Sequence, residues 1–309
     1  MSVDRRRFLK GGLLLTGAAT GVAAGSRLLP DGGREADDGA PETLALTVDG
    51  RLVSVRESDA RPAAPPSDEE IRTGIPGRRW VMVIDLALCD GCGSCQEACA
   101  ETHFLPAGRD WLRLYQLQDS PETAPYWFPK PCFHCDNPPC TRVCPVGATF
   151  KRQDGVVLID NERCIGCRFC MAACPYSTRV FNWERPASPP EALAQAYSPE
   201  KGFPRRVGTV EKCDFCPDMA RQGRLPHCAA RCEMGAIWFG DENEDAVSNG
   251  KGETTRLSKL LLDRAGYRYF EELGTEPRVY YLPPSERRYP APRGRPVHAG
   301  GHGEEGVGR

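Results

Sequence analysis

Residues 164–175 read Cys164-Ile165-Gly166-Cys167-Arg168-Phe169-Cys170-Met171-Ala172-Ala173-Cys174-Pro175, a C-x2-C-x2-C-x3-C-P run. Three cysteines two residues apart can point all their sulfurs into one tight loop. The fourth starts a helix directed away from it. This is the spacing with which thiolates hold an iron–sulfur cubane: the loop supplies three ligands, its backbone N–H groups face the inorganic sulfides, and the fourth cysteine ligates a neighbouring cluster. The same spacing recurs at Cys89, Cys92, Cys95 and Cys99. Two variants stretch it, Cys132, Cys135, Cys140, Cys144 (followed by Pro145) and Cys213, Cys216, Cys228, Cys232. All 16 cysteines of the 309-residue chain fall in these four groups, so the sequence predicts four clusters.

Three other cysteine chemistries fit worse. Structural zinc needs only four ligands and explains neither the third cysteine of a tight run nor the Cys-Pro ending. Disulfide frameworks do not repeat one tight spacing. Covalent haem requires C-x-x-C-H, and no cysteine here precedes a histidine.

The chain is long enough for one large or two modest domains. With 28 Pro and 32 Gly at 40% hydrophobic residues it reads as loop-rich, its clusters replacing part of an apolar core. The net charge of −2 points to neither nucleic acid nor an anionic membrane. Sixteen thiolates around four oxidised cores would add about −8. Arg142, Lys151, Arg152, Arg163, Arg168 and Arg179 lie near the motifs and either offset that charge or form a solvated basic face.

The N-terminus carries Arg5-Arg6-Arg7-Phe8-Leu9-Lys10, then a Gly/Ala-rich apolar stretch to about Ala24. Twin arginines before a weakly apolar segment, too short to be an ordinary span, read as a Tat export signal over residues 1–25. A cleavage site near Val22–Gly25 and an uncleaved anchor both fit. The two signals agree physically. Cluster thiolates must load in a reducing compartment, and Tat carries proteins that are already folded. The expected location is the periplasm or the outer face of the cytoplasmic membrane.

Residues 26–78 read as a Pro/Gly/acidic linker, with two β-type runs, 44–48 and 51–55, flanking Asp49-Gly50 as a hairpin. Residues 79–240 read as the cluster domain, with an inner module at about 128–182, and 241–283 as an extension holding a helix near 256–262 and a strand at 280–282. Residues 284–309, with His298 and His302, read as a disordered tail. Strands are expected before the first and third motifs, at 81–85 and 155–160. Gly-Ala-apolar strands are expected after the second and fourth, at 147–150 and 235–239. The proline-rich stretch 176–212 reads as a loop-like insertion. The expected fold is α+β: duplicated bacterial-ferredoxin-like modules, one nested in the other, with loop-rich insertions and extended termini.

Pro131–Cys140, Cys144–Thr149, Cys164–Tyr176 and Gly274–Leu282 resemble the four-cluster iron–sulfur subunits of molybdopterin oxidoreductases such as dimethyl sulfoxide, polysulfide and tetrathionate reductases. The resemblance covers roughly residues 79–283. It implies four [4Fe–4S] clusters: one on Cys89, Cys92, Cys95, Cys232; one on Cys132, Cys135, Cys140, Cys174; one on Cys164, Cys167, Cys170, Cys144; one on Cys213, Cys216, Cys228, Cys99. It also implies two partners: an integral-membrane quinone-interacting subunit, and a molybdopterin catalytic subunit or multihaem cytochrome. Cys232-Glu233 departs from the usual Cys-Pro and puts the local potential in question. Phe133, Phe169, Phe215 and Tyr176 are candidates to shield the clusters, or ordinary packing.

Two functional classes remain. The first is an electron-transfer subunit docked in a respiratory complex. The second is a free periplasmic polyferredoxin. No flavin fingerprint, nucleotide loop or nucleophile triad suggests an active site of its own.

Overall fold

The computed structural model describes residues 42–46, 52–56, 66–120, 123–184 and 188–285. The twin-arginine segment, Asp49-Gly50 and the tail histidines lie outside them. The chain divides into two units, Met1–Pro65 and Pro66–Arg309. In the first, β1 (Glu42–Leu46) pairs antiparallel with β2 (Leu52–Arg56), Leu46 opposite Leu52.

The second unit opens within the stretch read as linker. Ser67 caps α1 (Asp68–Thr73): its hydroxyl accepts the Glu70 N–H, and the Glu70 carboxylate accepts the Ser67 N–H at 2.8 Å. This reciprocal capping box satisfies two orphan donors, and Ile71 turns inward to bury.

There follow β3 (Trp80–Asp85), α2 (Ser94–Thr102), β4 (Arg113–Leu117), β5 (Tyr126–Lys130), α3 (Pro139–Arg142), β6 (Thr149–Lys151) and β7 (Val157–Ile159). Next come α4 (Phe169–Ala172), β8 (Val180–Phe181), α5 (Pro190–Leu193), β9 (Val210–Glu211), α6 (Pro217–Arg221) and α7 (His227–Ala230). The chain closes with β10 (Ile237–Asp241), β11 (Ala246–Asn249), β12 (Thr254–Thr255), α8 (Leu257–Asp263), β13 (Tyr267–Arg268) and β14 (Val279–Leu282). The class is α+β, as expected.

The central sheet has the order β12-β11-β10-β3-β14-β13, antiparallel throughout except for the β3–β14 pair. β3 is apolar on both faces, as a strand covered on both sides must be. Val81 and Val83 pack with Trp238, Val247 and Leu282, while Met82 and Ile84 pack on the cysteine side with Phe239 and Tyr281. β10 takes one edge of β3 and β14 the other. The stretch 241–283, read as an extension, thus carries β11 to β14 of this sheet. Val279, Tyr281 and Leu282 are fully buried because β3 has a second edge to fill, and α8 belongs to the crossover that a parallel strand requires.

Smaller pairs surround the remaining motifs: β4–β5, β6–β7 and β8–β9, all antiparallel. The entries to the first and third motifs are built alike. The Asp85 N–H donates to Ala236 O at 2.8 Å and the Asp160 N–H to Ala148 O at 2.8 Å. The Cys89 N–H then returns to Asp85 O and the Cys164 N–H to Asp160 O, at 3.2 and 3.0 Å. The insertion 176–212 is also less loop-like than its prolines suggest. It holds β8, α5 and β9, and its buried Glu200 accepts both Arg152 (2.5 Å) and Arg221 (2.8 Å). Among the described residues no helix is long and apolar enough to cross a membrane.

Candidate iron–sulfur centres

In every motif the residue before the second cysteine has a positive φ: Gly91 (74°), His134 (44°), Gly166 (73°) and Phe215 (67°). Such a left-handed residue, set among right-handed ones, lets successive backbone N–H groups converge on an anion. Glycine is required twice. A Cβ on Gly91 would fall 2.2 Å from the Trp127 ring, and one on Gly166 2.1 Å from the Gly208 carbonyl oxygen. At His134 and Phe215 the left-handed conformation costs about 1–2 kcal/mol each. Packing offsets it: both side chains are fully buried, their rings stack at 3.8 Å, and His134 Nδ1 accepts the Val157 N–H at 3.0 Å.

The fold gathers the sixteen cysteines into four sets. Cys99, Cys213, Cys216 and Cys228 line one cavity together with Phe215. Cys132, Cys135, Cys140 and Cys174 line a second, with Phe133 and Arg179. Cys144, Cys164, Cys167 and Cys170 line a third, with Thr149 and Val210. Cys89, Cys92, Cys95 and Cys232 form the fourth, close enough for their thiolates to repel one another. Each set takes three cysteines from one motif and one from another.

Neighbour relations between sets run in one line. Cys95 acts on Cys99, Cys132 on Cys213, and Arg179 faces both Cys132 and Cys170. The middle sets are the more deeply buried. Cys89, Cys92, Cys144, Cys164 and Cys167, at the two ends, are half-buried; in the middle sets only Cys174 is.

Burial raises the thiols of Cys95, Cys99, Cys213 and Cys216 well above their ordinary range, and neighbouring thiolates add to it, as does Asp214 beside the last three. Burial likewise pushes Cys89, Cys135 and Cys228 up to about 12. Thiols so placed cannot be anions together without a bound cation. An all-sulfur donor set in an apolar cavity suits iron–sulfur ligation, so the residues fit the group. Burial also raises Cys144, but the N–H groups of Thr149, Val146 and Ala148 outweigh it and lower the thiol. At Cys232 the N–H groups of Ala236, Ile237 and Met234, at the same offsets along the chain, act in the same sense without overcoming burial.

The structure sorts the remaining candidates. Phe133, Phe215 and Tyr176 are buried beside the cysteines. Phe169 is 59% exposed, because the helix it starts turns that side chain outward, so it shields nothing within the chain. Of the six basic residues only Arg179 is buried against the cysteines. Arg152 is taken by Asp154 and Glu200, Lys151 by Asp136, and Arg168 lies over the Phe181 and Trp183 rings. Sequence reading missed His103, buried just past α2. Its Nε2 lies 3.5 Å from Cys216 Sγ and its Nδ1 3.8 Å from Asp214 Oδ2, and burial brings the ring down to about 4, hence neutral. Its only sequence signal is its position four residues, one helical turn, beyond Cys99.

The 4Fe-4S dicluster domain family matches residues 123–188. The chain is 38% identical over 217 residues to a subunit of the selenate reductase of Mesobacillus selenatarsenatis, an alignment covering 66% of this chain and 72% of that protein. It is 39% identical over 235 residues to the iron–sulfur cluster-binding subunit of menaquinone reductase from Nitratidesulfovibrio vulgaris, covering 66% and 88%. It is 36% identical over 243 residues to a subunit of the tetrathionate reductase of Salmonella typhimurium, covering 77% and 83%.

Proposed function

The chain belongs to the iron–sulfur subunit family of such oxidoreductase complexes, and from that premise we propose that it relays electrons along four [4Fe–4S] clusters between a quinone-interacting membrane subunit and a molybdopterin-type catalytic subunit or multihaem cytochrome. Its general role is the coarser one of an iron–sulfur electron-transfer subunit. When bound, the clusters supply one-electron carriers. The protein's own residues do the rest. Each of the four cysteine sets would hold one cluster. The left-handed loop residues turn N–H groups toward them, and Phe133, Phe215 and Tyr176 keep water from the two central sets. We read the domain as two ferredoxin-like modules, one nested in the other, which the matching hydrogen bonds of Asp85 with Ala236 and Asp160 with Ala148 support.

The observation that carries the relay reading is the linear order of the sets, with five of the six half-buried cysteines at its two ends. One end is also apolar and uncovered: Ile165 is 64% and Phe169 59% exposed beside the Cys164 loop, with Val143 and Val146 near them. A docked subunit needs such a surface, and a freely diffusing polyferredoxin gains nothing from it. The twin-arginine segment supports export in the folded state and work at the periplasmic face. The test is analysis of the full chain purified anaerobically, with and without the pair Ile165→Glu and Phe169→Glu. About sixteen iron and sixteen sulfide per chain are expected in both. The unsubstituted chain should co-purify with an integral-membrane protein and the double variant should not. Zinc without broad visible absorbance would overturn the cluster reading. Loaded protein that never associates with membranes would favour the free carrier.

A further inference from the structure

Arg179, the residue before β8, is 4% exposed. The other buried arginines close to its depth lie against carboxylates: Arg152 against Asp154 and Glu200, Arg205 against Glu211, Arg278 against Asp136 and Glu242. Arg179 pairs with no carboxylate among the described residues. Its Nη1 donates to Thr149 Oγ1 at 3.3 Å, and its Nη2 is buried with no hydrogen-bond partner. The anions that face it are thiolates: Cys132, Cys140 and Cys174 from one set and Cys170 from the next. A guanidinium taken out of water is strongly disfavoured unless an anion meets it. Among the described residues the anions that meet it belong to two cluster sites at once.

Building on the four-cluster reading, we propose that Arg179 is the shared countercharge of the two clusters held by the Cys132 and Cys164 sets and holds both at higher reduction potentials than the clusters of the Cys89 and Cys99 sets. An electron added to either of these sites increases negative charge beside a fixed cation, so Arg179 favours the reduced form. The interior dielectric makes this interaction strong, and burial protects it from salt. The set of Cys99, Cys213, Cys216 and Cys228 has the opposite neighbour, the carboxylate of Asp214. Lys212 also acts on Cys140, but its ammonium is spent on the carbonyls of Val157 and Cys213. Arg179 therefore serves the half of the line formed by the Cys132 and Cys164 sets, while the Cys99 set next to them meets the Asp214 carboxylate.

The experiment is an EPR-monitored redox titration of the full-length protein carrying Arg179→Gln or Arg179→Lys, at low and high salt. In Arg179→Gln two of the four clusters should become at least tenfold harder to reduce, 59 mV for one electron. The other two should stay within threefold of the unsubstituted protein, and the shift should be the same at both salt concentrations. Arg179→Lys should recover most of it. Four loaded clusters with unchanged potentials would overturn the proposal, as would a uniform shift of all four or no recovery by lysine. If Arg179→Gln does not load, the decision rests on the unsubstituted protein labelled with guanidino-15N arginine. Pulsed EPR of the reduced clusters of the Cys132 and Cys164 sets should then show a 15N coupling, and its absence refutes the assignment. A protein without four clusters would instead refute the functional reading.

Discussion

Replacing Tyr281 tests whether the C-terminal strand belongs to the cluster core. Tyr281 lies on β14, is fully buried, stacks on Phe128 at 4.3 Å and sits 6.1 Å from the ring of Phe133, the neighbour of Cys132. Its hydroxyl donates to Pro129 O at 2.8 Å. Tyr281→Ala removes a buried aromatic, worth about 3–5 kcal/mol in cores. It also leaves the Pro129 carbonyl unpaired, adding about 1–3 kcal/mol. Tyr281→Phe keeps the ring and incurs only the second cost. Cluster loss to an iron chelator proceeds through opened chains, so its rate follows the open population when reclosing is fast. At about 1.4 kcal/mol per factor of ten, the summed cost of at least about 4 kcal/mol should make Tyr281→Ala bleach at least about 700-fold faster than the unsubstituted protein. Tyr281→Phe should bleach about five- to a hundredfold faster. The assay is anaerobic loss of visible absorbance at fixed chelator. Alanine bleaching within threefold of the parent would show that β14 contributes nothing to holding the clusters, and the reasoning fails.

Gly166→Ala should empty the site on Cys144, Cys164, Cys167 and Cys170, because its Cβ would meet the Gly208 carbonyl oxygen; iron should fall from about sixteen to about twelve per chain. Gly252→Ala, also left-handed (78°) with no atom near its Cβ but between β11 and β12, outside the four motifs, is the control and should keep full iron content. Changing Arg5 and Arg6 to Lys should leave loaded protein in the cytoplasm, and normal delivery of that variant on cell fractionation would count against the export reading.

The site was legible in the sequence because ligand spacing is a local property. A C-x-x-C loop with a left-handed third position is written in adjacent residues, and Gly91 and Gly166 announce it. His134 and Phe215 do not, since those residue types take φ above zero here only through burial and mutual stacking. What stayed hidden depends on contacts distant in sequence. Nothing near Arg179 separates it from the exposed Arg163. The difference is that the chain on either side carries it between two cysteine sets. Trp127 covers Gly91 from a strand 36 residues away. β14 read as an extension because its apolar run is short, and its partner edge lies nearly 200 residues upstream. α1 was hidden by acidic and proline-rich surroundings, although the Ser67–Glu70 box was there to be read.

The missing prolines of the outer motifs have a structural account. α3 and α4 end at Arg142 and Ala172, two residues before Cys144 and Cys174, so Pro145 and Pro175 follow helices that have already stopped. α2 instead runs from Ser94 through Cys99 to Thr102. A proline at position 100 would stand inside it, losing a hydrogen bond and clashing with the preceding turn, at a cost of about 3 kcal/mol. The continued helix brings a second group to the same place. The His103 N–H returns to Cys99 O at 3.0 Å, and its ring then reaches Cys216, while Cys99 itself faces Cys213 and Cys228. At Cys232 the absent proline changes less than the sequence suggests. Met234, Ala236 and Ile237 direct their N–H groups at its sulfur just as Val146, Ala148 and Thr149 do at Cys144. The cradle around the fourth cysteine is therefore made by the Gly-Ala strand that follows, through Gly147 and Gly235 at positive φ, and proline is dispensable to it.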